Sequence, residues 1–159
     1  MSEKASILKE YAEYVYESLE RALEGLMEKE ITWRPTEVSN SIEWILNHLA
    51  RISNLALPRI IKGDPKYAPD GWPSDYRSKH HGLEKMLKDI EAGKKVVLEG
   101  IGNLTSTQLE EEIPLWGGTR QRKIGLFAYL GELVHHKGQI AYLRGTMKRL
   151  KEKDPKFLE

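Results

Sequence analysis

From Leu126 to Leu150 the chain repeats one stripe at alternating steps of three and four: Leu126, Tyr129, Leu133, His136, Ile140, Leu143, Met147, Leu150. Residues three and four apart stack on one side of a helix, so this spacing is the packing face of a bundle helix. The sequence predicts a helix N-capped by Thr119 and running to about Lys151. All but one member of the stripe are apolar or aromatic. The exception, His136, has Glu132 one turn before it.

Three more segments carry the helical period, and none shows a sustained period of two. The first runs from about Lys4 to Glu28 with a stripe of Ile7, Tyr11, Val15, Leu19, Ala22 and Leu26, and ends before Pro35, which restricts Arg34. The second opens at Asn40, with Glu43 three residues on in a capping-box-like start, and sets Ile42, Ile45, Leu49, Ile52, Ala56 and Ile60 on one face. The breakers Gly63, Pro65, Pro69, Gly71 and Pro73 then impose a loop of roughly 15 residues, long for a bundle and so a candidate functional segment. The third helix is expected from about Lys79 to Ile101, its stripe interrupted by Lys94, whose stem snorkels or whose ammonium serves a site. A polar connector, Gly102–Trp116, leads into the last helix. Four helices and no fifth argue for an all-α fold, a four-helix bundle, with residues 1–159 forming one domain.

Composition narrows the partners. The 25 Lys and Arg balance 24 Asp and Glu, so no net field steers a polyanion, and neither nucleic acid nor a membrane is an expected partner. The basic run Lys148–Lys153 complements a helix C-terminus. No apolar run approaches the ~20 residues of a membrane span, and Met1–Leu19 is too charged for a secretory signal, so a cytoplasmic location is expected. The absence of cysteine removes disulfides, thiolate ligands and a cysteine nucleophile, leaving His, Asp and Glu to hold any metal.

Glu132 lies about 40° from His136 around the helix, nearly on the same face, whereas His135 points about 100° away. A buried carboxylate needs compensation. Glu132 reaches solvent, or bonds to His136, Arg144 or Lys94, or binds a cation jointly with His136. In the second helix His48 stands beside the apolar stripe, three residues after Ile45 and four before Ile52. Two helices that each present an inward histidine are the usual source of a metal site in a bundle core.

The stretches NSIEWILNHLARI and LGELVHHKGQIAYLRG, together with the turn Trp33-Arg34-Pro35, resemble the DinB-like (DinB/YfiT) superfamily over nearly the whole chain. His136-Lys137-Gly138-Gln139-Ile140 is the most specific part. The resemblance implies a four-helix bundle with an unusual up-and-down connection order, frequently a homodimer. It also implies a divalent metal, zinc or nickel foremost with iron or manganese as alternatives, held by one histidine of the second helix and two of the last. His48 matches the first of these positions and His136 the third, while Glu132 occupies the middle one, giving two histidines and a carboxylate that leave open positions. Relatives conjugate low-molecular-weight thiols to electrophiles, and in a chain without cysteine the thiol would come from the cosubstrate; activation of water for hydrolysis is the other chemistry implied. The competing reading is a non-catalytic bundle whose polar core residues are structural. Gln139 is expected to donate a hydrogen bond behind the metal ligands or to make an interhelix contact, and Gly138 to permit close helix approach. His80 and His81 are expected at the exposed start of the third helix, and the four tryptophans to pack at helix ends.

Overall fold

Ser2 starts the first helix by accepting a hydrogen bond from the Ala5 amide at 3.3 Å, and α1 then runs Glu3–Leu23. The structure, a computed structural model, describes residues 2–159. α1 stops five residues before the expected end because Gly25 turns the backbone to φ +69°, a left-handed conformation glycine adopts without strain. Glu28–Glu30 form a separate 3₁₀ turn. The buried face of α1 is Ala5, Leu8, Ala12, Val15, Tyr16 and Leu19, so the predicted stripe is rotated at its start and Ile7 and Tyr11 face outward.

The second rod is α2, Ile42–Arg51, then a π-helical turn, Ile52–Ala56, then α3, Leu57–Lys62. Its N-cap is Ser41, not Asn40: the Ser41 hydroxyl accepts from the Trp44 amide at 3.2 Å. The wider turn precedes Pro58, which has no N–H to give an α-helical ladder, and the Leu57 amide reaches back to the Ile52 carbonyl instead. Next comes α4, Leu83–Gly102, whose first amide donates to the Glu28 carboxylate at 2.8 Å. α4 begins later than expected because Tyr76–Ser78 form a 3₁₀ turn and His80 and His81 remain outside the helix.

Between α4 and the last helix lie a short helix, α5 (Ser106–Glu110), and a hairpin of β1 (Glu112–Leu115) and β2 (Gly118–Gln121). Neither was legible as a period, since four-residue strands are too short to establish one. Thr119 pairs with Pro114 in the hairpin instead of capping a helix. The last helix, α6, is Arg122–Lys153. The buried Arg122 guanidinium ties its start to the end of α3, donating to the Ile61 carbonyl and the Glu111 carboxylate at 2.8 Å each.

α1 packs between α4 and α6, and the α2–α3 rod packs between the same two helices on the opposite side. α1 and α6 are parallel: Lys4 and Lys123 both reach Glu110, while Arg144 donates to the Ala22 and Glu24 carbonyls at the far end. The α2–α3 rod and α4 are also parallel, with Ser53 on Gly93 and Ile61 on Gly100. The order is therefore up, down, down, up. Two consecutive parallel rods need a connection that travels the length of the bundle, which is the physical reason residues 63–82 are long. Tyr76 anchors that crossover: it is buried, donates to Asp89 at 2.6 Å, stacks with Trp72 and His81, and offers its carbonyl to Asn47 at 3.0 Å. His81 is thus partly buried structure, while His80 is exposed. Lys94 pairs with Glu20 of α1, away from any histidine. Among the described residues no helix is long and apolar enough to cross a membrane.

Candidate metal centre

α2 and α6 run antiparallel side by side, and this brings His48, Glu132 and His136 together. The Glu132 Oε2 atom lies 3.3 Å from His136 Nε2 and 3.6 Å from His48 Nε2. One ligating atom from each residue lies within 4.8 Å of both others. The two imidazole rings meet nearly edge to face, their centroids 4.7 Å apart. His136 is buried, with 7% of its side chain exposed; Glu132, at 45%, keeps one flank of the cluster in contact with solvent. Glu132 both reaches water and converges on the two histidines. Arg144 and Lys94, offered by the sequence as alternative partners, are committed to α1.

Hydrogen bonds behind the cluster orient its buried ring. His136 Nδ1 donates to Gln139 Oε1 at 2.7 Å, and the Gln139 amide nitrogen donates to His135 Nε2 at 3.1 Å. Gln139 is therefore an acceptor toward His136 where the sequence suggested a donor, and His135, which points away from the cluster, secures the amide orientation. With Nδ1 donating to Gln139, His136 turns Nε2 toward the Glu132 carboxylate, and in the neutral ring the lone pair lies there. His48 is held below the usual imidazole pKa, first by burial and then by the neighbouring His136, while the Glu132 carboxylate pulls the other way. The His48 ring thus favours the neutral form that ligates metals.

Trp44, one turn before His48 on α2, was read from sequence only as packing. It stacks on the His48 ring at 5.5 Å and meets His136 edge-on at 6.2 Å, covering the apolar side of the cluster. Its spacing of four from His48 is the sequence signal that would have found it. Gly138 does not serve helix approach: nothing lies within 4 Å of where its Cβ would be. The tight contacts belong to Gly93, Gly100 and Gly125.

The donor set fits a divalent cation. Bonds of ~2.0–2.1 Å at tetrahedral angles separate neighbouring ligand atoms by ~3.3 Å, close to both Glu132 distances. A carboxylate oxygen and an imidazole nitrogen face each other at 3.3 Å with a second imidazole beside them. Such a cluster is self-repelling unless a proton or a cation occupies its centre.

The sequence profile of the DinB superfamily matches residues 11–140. Among solved structures, a conserved protein from Enterococcus faecalis superposes with a TM-score of 0.67 at 16% identity, over 91% of this chain and 96% of that one. A DinB-like protein from Bacillus subtilis gives a TM-score of 0.60 at 19% identity, over 91% of this chain and 92% of that one. No curated protein matches.

Proposed function

The chain belongs to the DinB superfamily, and we propose that within it this member is a divalent-metal-dependent enzyme that activates a small nucleophile, a low-molecular-weight thiol or water, at His48, Glu132 and His136. The observation that carries this reading is the convergence of two imidazoles and one carboxylate on one point, with no Lys or Arg among the described residues paired to them. When bound there, a divalent ion lowers the pKa of a thiol or water and polarises an electrophile. The side chains of the chain do the rest. Gln139 keeps the His136 proton on Nδ1, and Trp44 excludes water from one side of the imidazole pair. The solvent-facing flank at Glu132 leaves room for a substrate to approach. Because the chain has no cysteine, a thiol nucleophile comes from the cosubstrate.

The reading is tested with protein purified without a polyhistidine tag, reconstituted with zinc and offered a panel of thiols with electrophiles. Zinc-dependent consumption of thiol that disappears in His136→Ala supports it. Equal turnover in metal-free protein, or in His136→Ala, contradicts it.

We propose further that the protein acts as a homodimer through the outer face of its parallel pair, α1 and α6. Ile7, Tyr11 and Tyr14 on α1 and Phe127, Val134 and Tyr142 on α6 follow helical spacing and are 44–68% exposed, a set of large apolar side chains on the outer faces of two neighbouring helices. The same surface on a second copy complements it, as a two-fold interface requires.

A further inference from the structure

Where α3 and α6 meet the hairpin, the structure holds a cavity of about 230 Å³. Tyr129 lines it, three residues before Glu132 and so ~4.5 Å along the helix axis from it, and Ala56 lines it eight residues beyond His48. Its apolar wall is Ile60 with Pro114 and Leu115 of the hairpin. Gly125 makes this wall possible, because a Cβ there would stand 2.8 Å from Leu115 and 3.0 Å from Ile60. The volume equals about eight water molecules of liquid, enough to admit a benzoate.

Two features indicate an occupant. Trp116 is one of the two turn residues of the hairpin and has φ +53°, followed by Gly117 at φ +74°. That turn requires positive φ at both positions and normally uses Asn or Gly; a tryptophan there costs about 1–2 kcal/mol. Packing offers little return, since Trp116 stays 53% exposed; its indole N–H reaches the Tyr129 hydroxyl at 3.4 Å and its side chain lines the cavity. Strain of this kind is retained where a site needs the side chain. The second feature is Arg59, at the end of the cavity away from His48. Its Nε donates to the Tyr67 carbonyl at 2.8 Å, which fixes the guanidinium, and among the described residues its terminal amino groups have no partner.

We propose that this cavity is the substrate subsite. It takes a small acid with an apolar, preferably planar body of benzoate size, its carboxylate on Arg59 and its body between Trp116 and Tyr129. The role of the cavity in the reaction rests on the metal-centre reading; its binding of such an acid does not, and the experiment separates the two. The probe is benzoate, titrated into metal-free protein while the indole N–H resonances are followed by ¹H–¹⁵N NMR, with Trp116→Phe assigning the Trp116 signal. The Trp116 resonance is expected to move saturably by about 20 mM, and to need roughly tenfold more ligand with neutral benzyl alcohol or in Arg59→Met, the loss that follows removal of a hydrogen bond between charged groups. Unmoved signals from the other three indoles show that Arg59→Met is folded, and Arg59→Lys recovers part of the affinity. The same titration in His136→Ala is expected to be unchanged, so failure of the metal centre leaves this result standing. A Trp116 resonance that benzoate does not move, or one moved equally by benzyl alcohol or in Arg59→Met, overturns the proposal.

Discussion

At the scale of single residues, Gln139 decides which way His136 presents itself. With the Nδ1 proton bound to the Gln139 carbonyl and the Gln139 amide bound to His135, the Nε2 lone pair has one direction left, toward Glu132. Gln139→Ala is therefore expected to weaken metal binding about 10–100-fold, the usual effect of losing a partner behind a ligating histidine. In the same variant the ¹⁵N shifts of His136 should change from the Nδ1–H tautomer to a mixture, which loss of packing alone would not produce. His48 makes a prediction in pH. Burial and the adjacent His136 hold its folded-state pKa below the ordinary value of 6.5. As pH falls through 6.5, the unfolded chain takes up this proton before the folded chain does. The contribution of His48 to the stability of metal-free protein is thus complete above pH 6.5 and is lost progressively as pH falls toward the folded pKa. Denaturant titrations across that range should show the decline, and His48→Gln should flatten it. A slope unaffected by the substitution contradicts the assignment.

At the scale of elements, the contact between the π turn and α4 sets the spacing of the two down-running rods. A Cβ at Gly93 would stand 2.6–2.7 Å from the Ser53 side chain and backbone, and Ser53 is itself bonded to the buried Tyr16 hydroxyl at 2.9 Å. Gly93→Ala is expected to destabilise the fold by about 1–3 kcal/mol in chemical denaturation, the cost of overpacking. How much of this was legible depended on the element. α6 was readable because its stripe persists over eight positions, and His136 belonged to the stripe by spacing alone. α1 was readable as a helix but not in its orientation: Ile7 and Tyr11, like Leu8 and Ala12, stand at helical spacing from Val15 and Leu19, so periodicity admits two adjacent faces and only packing chooses. The hairpin left no signal, because its turn is Trp-Gly where Asn-Gly would have announced it. Trp44 and Arg59 were legible as residue types, and their roles emerge only when two elements meet.

At the scale of the whole molecule, the up-down-down-up order explains both the long crossover and the position of the site. The second and last rods become antiparallel neighbours, so residues 84 positions apart, His48 and Glu132, share one groove. No local pattern encodes that adjacency; the resemblance of the two histidine-bearing stretches to a known family supplied it. In the proposed homodimer the outer stripe of the parallel α1 and α6 is covered by a second copy of the chain. Sedimentation equilibrium is expected to give a dimer, and a charge in the middle of the stripe, Tyr11→Glu with Phe127→Glu, a monomer that retains its helix content. A wild-type chain that stays monomeric at high concentration contradicts the interface.

The central claim, that His48, Glu132 and His136 hold one divalent ion, is met most directly by equilibrium dialysis of tag-free protein against zinc, nickel, manganese and iron(II), with metal content read by mass spectrometry. The account predicts close to one ion per chain, lost in His48→Ala and in His136→Ala while both variants keep their helical content. Wild-type protein that retains none of the four ions, or alanine variants that retain the ion as well as wild type does, would contradict it.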